Sequence, residues 1–157
     1  MKINVFLPCK KSSSRVKNKN RRKFANVNFG LTRIKLNQLL KSRLINKIYI
    51  STNDKKIINF TKKLKRKKII VHERKDPALS TDNTSNYQLV KHAMNIIPDG
   101  HILWTHVTSP FVNSRIYDEA IRKYQKIIKL KYDSLMTITK VKGFIWDQKK
   151  SINYNYN

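Results

Sequence analysis

Short apolar runs of strand length alternate with apolar residues at helical spacing along most of the chain. The runs at 3–7, 47–51, 68–72 and 101–107 are bounded by polar or turn-forming residues, and a stretch with apolar positions every three or four residues follows most of them. This alternation is typical of a sheet with helices packed on its faces. We therefore predict an α/β fold with a mostly parallel sheet and right-handed crossovers.

The length of 157 residues suits one domain with a single core. We assign that domain to residues 1–150 and treat 151–157 as a tail, because the tail has no recognisable element. Four helices are also predicted: one over 31–40, one that begins at Asn53 or Asp54, one around 89–97, and one that begins at Asn113 or Ser114. A fifth strand is predicted over 133–141.

The formal charge of +26 points to a polyanionic partner such as a nucleotide, a nucleic acid or an anionic membrane. Lysine, asparagine and isoleucine share AT-rich codons, so genome bias is an alternative source of the lysine excess. No stretch approaches the roughly 18 consecutive apolar residues of a membrane helix, and no signal segment opens the chain. The single cysteine, Cys9, excludes an internal disulfide. We expect a cytoplasmic protein with no membrane partner.

The loop after the first strand is the first candidate site, because ligands of open α/β sheets bind beyond the carboxyl ends of the strands. From Leu7 it reads Leu-Pro-Cys-Lys-Lys-Ser-Ser-Ser-Arg-Val-Lys-Asn-Lys-Asn. Small hydroxyl residues let backbone N–H groups approach an anion, and Lys10, Arg15 and Lys19 supply positive charge. The spacing of a Walker A loop is absent. The composition predicts a triphosphate-binding loop of another kind.

This loop resembles the signature of the acylneuraminate (CMP-sialic acid synthetase-like) and KDO cytidylyltransferases, Pro-Ala-Arg-x-x-Ser-(Lys/Ser)-x-x-x-x-Lys. Pro8, Ser13 and Lys19 match it without gaps, and Lys10 stands where the family has arginine. The resemblance implies that the loop wraps the phosphates and that Lys10 and Lys19 act in catalysis. The nucleotide-binding residues that it implies in this loop are Pro8, Cys9, Lys10, Ser13, Arg15, Asn18 and Lys19.

Two later segments are similar to family motifs in the same order. The segment 74–82 is similar to Arg-Pro-x-x-Leu-Ala-x-Asp, which implies that Arg74, Ser80 and Asp82 lie near the nucleotide. The alternative is that Arg74 and Asp82 pair with each other or cap the next helix.

The segment 106–110 is similar to Gln-Pro-Thr-Ser-Pro, which implies substrate contacts from His106, Thr108 and Ser109. His106 replaces the glutamine, and a purely structural histidine is the alternative.

The family resemblance implies a three-layer Rossmann-like nucleotidyltransferase fold of the GT-A-like kind. It also implies transfer of CMP from CTP to an acidic nonulosonic or ulosonic sugar, with release of pyrophosphate and Mg²⁺ as cofactor. The family continues beyond the point where this sequence stops, so we expect an incomplete C-terminus, unidentified metal ligands and an isolated chain of uncertain activity. A homodimer or a second polypeptide that completes the fold is the partner we expect. Lys11 and Ser12 replace family glycines and restrict the loop.

The basic run at 62–68 supports a second hypothesis, a nucleic-acid-binding protein. No aromatic residue interleaves the run, although base stacking requires one. The run also falls at a predicted helix end, where cations suit the helix dipole. We therefore favour the nucleotide site and keep nucleic-acid binding as the alternative.

Overall fold

The structure, a computed structural model, describes residues 1–11, 13, 15–140 and 142–153. The predictions that involve Ser12, Ser14, Val141 and 154–157 lie outside these residues. The strands are Ile3–Pro8 (β1), Lys47–Thr52 (β2), Ile69–Glu73 (β3) and His101–Trp104 (β4). The α-helices are Gly30–Lys41 (α1), Lys55–Lys63 (α2), Asn86–Ile96 (α3) and Ser114–Ile127 (α4), and the short 3-10 helices are Pro77–Ser80 and Ile128–Leu130.

The four strands form one parallel sheet in the order β3-β2-β1-β4. Val5 of β1 lies opposite Ile48 of β2 on one side and Leu103 of β4 on the other. The chain therefore moves outward from β1 to β3 and then crosses back to place β4 on the opposite side of β1. The strand order reverses between β1 and β4, and their carboxyl ends flank the position where such sheets bind ligands.

Alternate residues of β1 face two different helix layers. Ile3, Val5 and Leu7 are buried in a core that includes residues of α1, α2 and α4. Phe6 faces the other way and packs with Ala93 of α3. Because both faces of the sheet are covered, the inner strands are mostly apolar along their length, as the sequence predicted. The three-layer α/β architecture is confirmed.

Side-chain caps set where three of the helices begin. Asp54 accepts a hydrogen bond from the Lys56 amide at 2.9 Å and starts α2. Asn113 starts α4 in the same way. Both caps agree with the predicted starts. Ser85 and Gln88 form a reciprocal capping box at the start of α3, which fixes a boundary that the apolar pattern left open.

Two predicted strands differ from the structure. The fourth strand was predicted to continue to residue 107, but β4 ends at Trp104 before the chain turns. The fifth strand, predicted over 133–141, is wrong over its described part, because residues 133–140 have no regular secondary structure. Met136 and Ile138 are 82% and 83% exposed. An apolar pattern becomes a strand only beside a partner, and no described strand lies next to this segment.

The last described residues form a small turn. Trp146 bridges Ser151, and the Ile152 amide donates to the Ile145 carbonyl at 2.7 Å. Among the helices of the described part, none has the length and apolar composition to cross a bilayer.

Candidate functional site

A cavity of about 250 Å³ opens at the carboxyl ends of β1 and β4, where the strand order reverses. Three segments wall it: the first loop (residues 9–29), residues 74–89, and the loop between β4 and α4 (residues 105–113). The residues that line it are Pro8, Lys10, Lys19, Asn20, Arg74, Leu79, Thr81, Asp82, Thr84, Leu89, His106, Val107 and Thr108.

The first loop is tied to the end of β2 and the start of α2. The Lys11 amide donates to Asn53 Oδ1 at 2.7 Å. Arg21 Nε lies 3.0 Å from the buried carboxylate of Asp54. These two tethers lie on either side of Lys19, so the described part of the loop folds back beside the cavity.

Asn20 holds the first loop from within. Its side-chain amide donates to the Lys10 carbonyl at 2.8 Å, and its own carbonyl accepts from Thr32 Oγ1 at 2.5 Å. Asn18, with φ of 56°, turns the chain just before Lys19. Asparagine tolerates this left-handed conformation better than most residues. The two lysines of the wall are therefore held on a fixed backbone.

Lys10 forms an ion pair with Asp82 and also donates to the Thr81 carbonyl at 3.4 Å. The pair joins the first loop to the 74–89 segment at the exposed side of the cavity. An entering anion would compete with Asp82 for the Lys10 ammonium.

Arg74 supports the cavity wall from below. Its guanidinium donates to Ser51 Oγ at 3.0 Å, to the Ser51 carbonyl at 2.8 Å and to the Leu79 carbonyl at 2.6 Å. Only 5% of the residue is exposed. Arg74 thus fixes the 3-10 helix Pro77–Ser80 against the end of β2. One edge of the Arg74 side chain also borders the cavity.

Two histidines lie behind Arg74 on the α3 side of the sheet. His92 Nε2 lies 2.8 Å from Ser51 Oγ, and the rings of His72 and His92 meet edge to face. Burial, together with His72 and Arg74, lowers the pKa of His92 to about 4. The imidazole is therefore neutral at physiological pH and adds no charge beside Arg74.

The loop after β4 contributes His106 and Thr108 to the wall. His106 Nε2 accepts a hydrogen bond from the Trp104 indole at 2.9 Å. Burial and the nearby Lys19 both lower the pKa of His106. The ring is thus neutral with its proton on Nδ1. In this state it can donate a hydrogen bond from Nδ1 but is poorly suited to act as a base.

Several residues of the sequence prediction lie off the cavity wall. Cys9 is fully buried, and burial raises the pKa of its thiol to about 12, so it is an inert core residue. Ser13 Oγ accepts from the Val16 amide, while Arg15 is exposed. The predicted residues that do not line the cavity are Cys9, Ser13, Arg15, Asn18, Ser80 and Ser109.

The wall also includes residues that the sequence did not single out. Only 7% of Asn20 is exposed, and its Oδ1 has no hydrogen-bond partner among the described residues. Leu79 and Leu89 supply apolar surface suited to a planar ring. The position of Asn20 directly after Lys19 was the available signal. Leu79 falls within the 74–82 motif segment without having been singled out, and Leu89 was predicted only as an ordinary helix residue.

Within the described residues, no three histidine, cysteine or acidic side chains come close enough to form a metal site. Asp82 is the single carboxylate of the cavity lining. Mg²⁺ commonly binds through one or two carboxylates together with substrate phosphates. These residues therefore do not make a protein metal site of their own, although Asp82 is placed to contribute one ligand.

The basic run 62–68 leads into the amino end of β3, whereas this cavity lies at the carboxyl ends of the parallel strands, which form the opposite edge of the sheet. The run covers the end of α2 and the turn into β3. A second, open concavity of about 380 Å³ is lined by Thr61, Lys62, Lys65, Arg66, Lys67, Ile69 and Val71. No aromatic side chain lines this concavity, so it has no stacking surface for a base.

Comparison with known proteins identifies the same class of fold. The sequence model of a cytidylyltransferase family matches residues 5–150. No curated protein matches the sequence. Among solved structures, CMP-2-keto-3-deoxy-manno-octonic acid synthetase complexed with CTP superposes with a TM-score of 0.61 at 12% identity, covering 80% of this chain and 48% of that chain.

Two further structures are similar. A cytidylyltransferase from Leptospira borgpetersenii gives a TM-score of 0.59 at 17% identity, with 80% and 50% of the two chains covered. The 4-diphosphocytidyl-2C-methyl-D-erythritol synthase of Anaerococcus prevotii gives 0.55 at 13% identity, with 80% and 51% covered. The chain thus spans about half the length of each of these structures. At these identities the likeness describes the fold.

Proposed function

This chain belongs to the cytidylyltransferase family, and we propose that it binds CTP and serves the transfer of CMP to an acidic sugar with release of pyrophosphate. The observation that carries the proposal is the cavity at the strand-order reversal, with Lys10, Lys19 and Arg74 in its wall. Three cations around one cavity suit a triphosphate. The apolar surface of Leu79 and Leu89 suits the nucleoside end.

Lys10 and Lys19 are the proposed phosphate ligands. Both belong to the first loop, whose tethers to Asn53 and Asp54 hold the backbone in place before a ligand arrives. A preorganised cation stabilises developing charge without reorganising at the moment of reaction. Lys10 would exchange its ion pair with Asp82 for a phosphate oxygen. Arg15, which is exposed, would approach from the open side.

The chemistry requires no covalent intermediate with the protein. A hydroxyl oxygen of the acceptor sugar forms a bond to the α-phosphorus of CTP and releases its proton to solvent. The bond from that phosphorus to the bridging oxygen breaks, and pyrophosphate leaves. The residues act by positioning and by neutralising phosphate charge. Mg²⁺, bound together with the nucleotide, would neutralise further charge, with Asp82 as the nearby carboxylate.

His106 and Thr108 are proposed to face the acceptor, since they line the cavity beside Lys19. Ser109, the other residue that the motif resemblance implies, lies off the cavity wall, and its carbonyl accepts a hydrogen bond from Lys35 of α1. An acidic nonulosonic or ulosonic sugar is the acceptor that we propose from the motif resemblance. A homodimer or a second polypeptide and a cytoplasmic location are further proposals of the same kind.

Binding and turnover are best tested separately. Calorimetric titration of the purified chain with CTP, with and without Mg²⁺, measures binding, and ATP and UTP are the matched control ligands. We expect saturable binding that prefers CTP. Equal or absent binding of all three nucleotides would contradict the proposal. Pyrophosphate release with CTP, Mg²⁺ and a panel of acidic sugars then measures turnover.

The alternative function, nucleic-acid binding, is favoured only by the cations around the second concavity. It predicts duplex or single-strand binding whose affinity falls steeply with salt. It also predicts that CTP leaves that binding unchanged. Tight, CTP-insensitive binding that is lost when Lys62, Lys65 and Arg66 are replaced together by glutamine would favour this alternative.

A further inference from the structure

Lys35 of α1 is fully buried, with 0% exposure, although lysine is among the residues least often buried. Among the described residues its ammonium has three hydrogen-bond partners, and all are neutral oxygens. They are the Ser109 carbonyl at 2.8 Å, the Val112 carbonyl at 3.0 Å and Tyr117 Oη at 2.8 Å. A buried ammonium without a carboxylate is costly unless its hydrogen bonds are satisfied. The three partners use all three of its donors.

Two of the three partners belong to the loop between β4 and α4. Gln38, one turn further along α1, donates to the Pro110 carbonyl of the same loop at 2.6 Å. Three carbonyls of a segment without regular secondary structure are thus satisfied by two side chains of one helix. The backbone of the loop is attached to α1 on the side away from the cavity.

The third partner extends the attachment to the start of the loop. Tyr117 Oη lies 2.7 Å from Thr105 Oγ1, and the Thr105 amide donates to the Phe6 carbonyl at 3.2 Å. Lys35 Nζ also lies 4.9 Å from the centroid of the Tyr117 ring. Through this network one ammonium connects the loop near its beginning, its middle and its end.

The central residues of the same loop, from His106 to Thr108, line the cavity. Lys35 itself does not. A methionine of similar length would fill the same space but would leave the Ser109 and Val112 carbonyls without these donors, so the ammonium does more than fill volume. Burial lowers the pKa of Lys35 to about 8, which is consistent with an ammonium that pairs with no carboxylate in the described part of the chain.

We propose that Lys35 is a positioning residue of the cavity: its ammonium fixes the loop at 105–113 so that His106 and Thr108 form one wall. The ligand at that wall rests on the proposed function, whereas the fixing of the loop does not. Lys35 touches neither nucleotide nor sugar in this proposal. It acts through the backbone carbonyls of Ser109 and Val112.

The test compares Lys35→Met with Lys41→Met, which changes an exposed lysine of the same helix. Amide hydrogen exchange without ligand reports on the loop directly. We expect exchange at 105–113 to accelerate about tenfold in Lys35→Met, because buried hydrogen bonds to the loop are lost, while β1 to β3 change little. Lys41→Met should match the wild type. Unchanged exchange at 105–113 in a folded Lys35→Met would overturn the proposal.

CTP affinity and Lys35→Arg provide the readouts that simple loss of packing would not reproduce. We expect Lys35→Met to weaken CTP binding about tenfold and Lys35→Arg, which retains a charged donor, to recover part of that loss. A loosened loop with wild-type CTP affinity would contradict the positioning role.

Two further results separate the proposals from one another. If wild-type protein binds no CTP, the proposed function fails while loop exchange still decides the role of Lys35. If Lys35→Met does not fold, Tyr117→Phe removes the link to Thr105 with less disturbance. It should accelerate exchange at the start of the loop, and wild-type exchange there would overturn the proposal.

Discussion

Two segments of this protein are rich in cations, yet among the described residues only the first loop holds its cations in ion pairs. In the first loop, Lys10 pairs with Asp82 and Arg21 pairs with Asp54. The Asn20 side chain also donates a hydrogen bond to the Lys10 carbonyl. In the run at 62–68, by contrast, no residue forms an ion pair within the described structure. Its second concavity is the larger of the two, at about 380 Å³ against about 250 Å³.

The difference lies in where each segment meets the sheet. The first loop leaves the carboxyl end of β1 at the reversal of strand order, where two neighbouring loops diverge and leave a cleft. The run at 62–68 ends α2 and leads into the amino end of β3. Cations at a helix C-terminus offset its dipole and remain solvated. Charge density is therefore a poor guide to a site, and position on the sheet is a better one.

The largest expected effect concerns the buried support of the cavity wall. Arg74→Met removes donors to Ser51 and Leu79 and leaves buried carbonyls without partners. We expect the free energy of unfolding to fall by about 2–3 kcal/mol. Arg66→Met, in the basic run, should change it by less than about 0.5 kcal/mol. Urea denaturation of both variants measures the difference, and equal effects would remove the distinction between the two segments.

A second prediction compares single lysines for nucleotide binding. Lys19→Ala removes a proposed phosphate ligand and should weaken CTP binding about 30-fold, which corresponds to about 2 kcal/mol for a charge-assisted hydrogen bond. Lys65→Ala removes the same charge from the second concavity and should leave the affinity within about twofold. Calorimetric titration at one ionic strength checks both. Similar losses would mean that net charge alone governs CTP affinity.

A third prediction uses pH. The pKa of His92 is lowered to about 4 in the folded protein, so unfolded His92 takes up a proton near pH 6.5 while folded His92 resists it. The resulting contribution to stability is complete above about pH 6.5 and is lost as pH falls toward 4. Allowing for solvent screening of a partly exposed ring, we expect about 1 kcal/mol.

His92→Gln provides the comparison for that prediction. Its unfolding free energy should fall less than that of the wild type between pH 7.5 and pH 4.5, as measured by urea denaturation at both values. Parallel pH profiles for the two proteins would show that His92 does not titrate in this way.

The smallest expected effect concerns the ion pair that joins Lys10 to Asp82. Asp82→Asn removes a negative charge from the cavity and releases Lys10, so CTP affinity should rise about threefold. Calorimetric titration at low salt and without Mg²⁺ is the measurement, because Asp82 is also the proposed carboxylate beside the metal. A lower affinity would instead show that the Asp82 carboxylate itself contributes to nucleotide binding, as the motif resemblance implies.

Local patterns predicted the repeating elements well. The β-branched run at 3–7, the helical spacing at 31–40 and the caps at Asp54 and Asn113 each act through neighbouring residues, so each is readable from the chain. The fifth strand failed because its formation depends on a partner strand that local sequence does not specify. Residues 133–140 retain the alternating pattern without a strand beside them.

The candidate site was predicted in part. The position of the first loop after β1 and the family motif directed attention to Lys10 and Lys19, and both line the cavity. Cys9 and Ser80 stand in the same motifs but lie off its wall. Side-chain direction at a turn depends on the folded backbone, so motif membership did not separate residues that face the cavity from those that face the core.

The sequence by itself determined the types of the first four strands and of the α-helices, the parallel α/β class and the likeness to cytidylyltransferases. Periodicity, caps and motif spacing are properties of neighbouring residues. Only the tertiary structure decided the strand order, the pairing of Lys10 with Asp82 and the attachment of the 105–113 loop to Lys35. These contacts join residues 72 to 77 positions apart. Packing around the sheet brings such residues together, and no local pattern encodes which buried oxygen a lysine will meet.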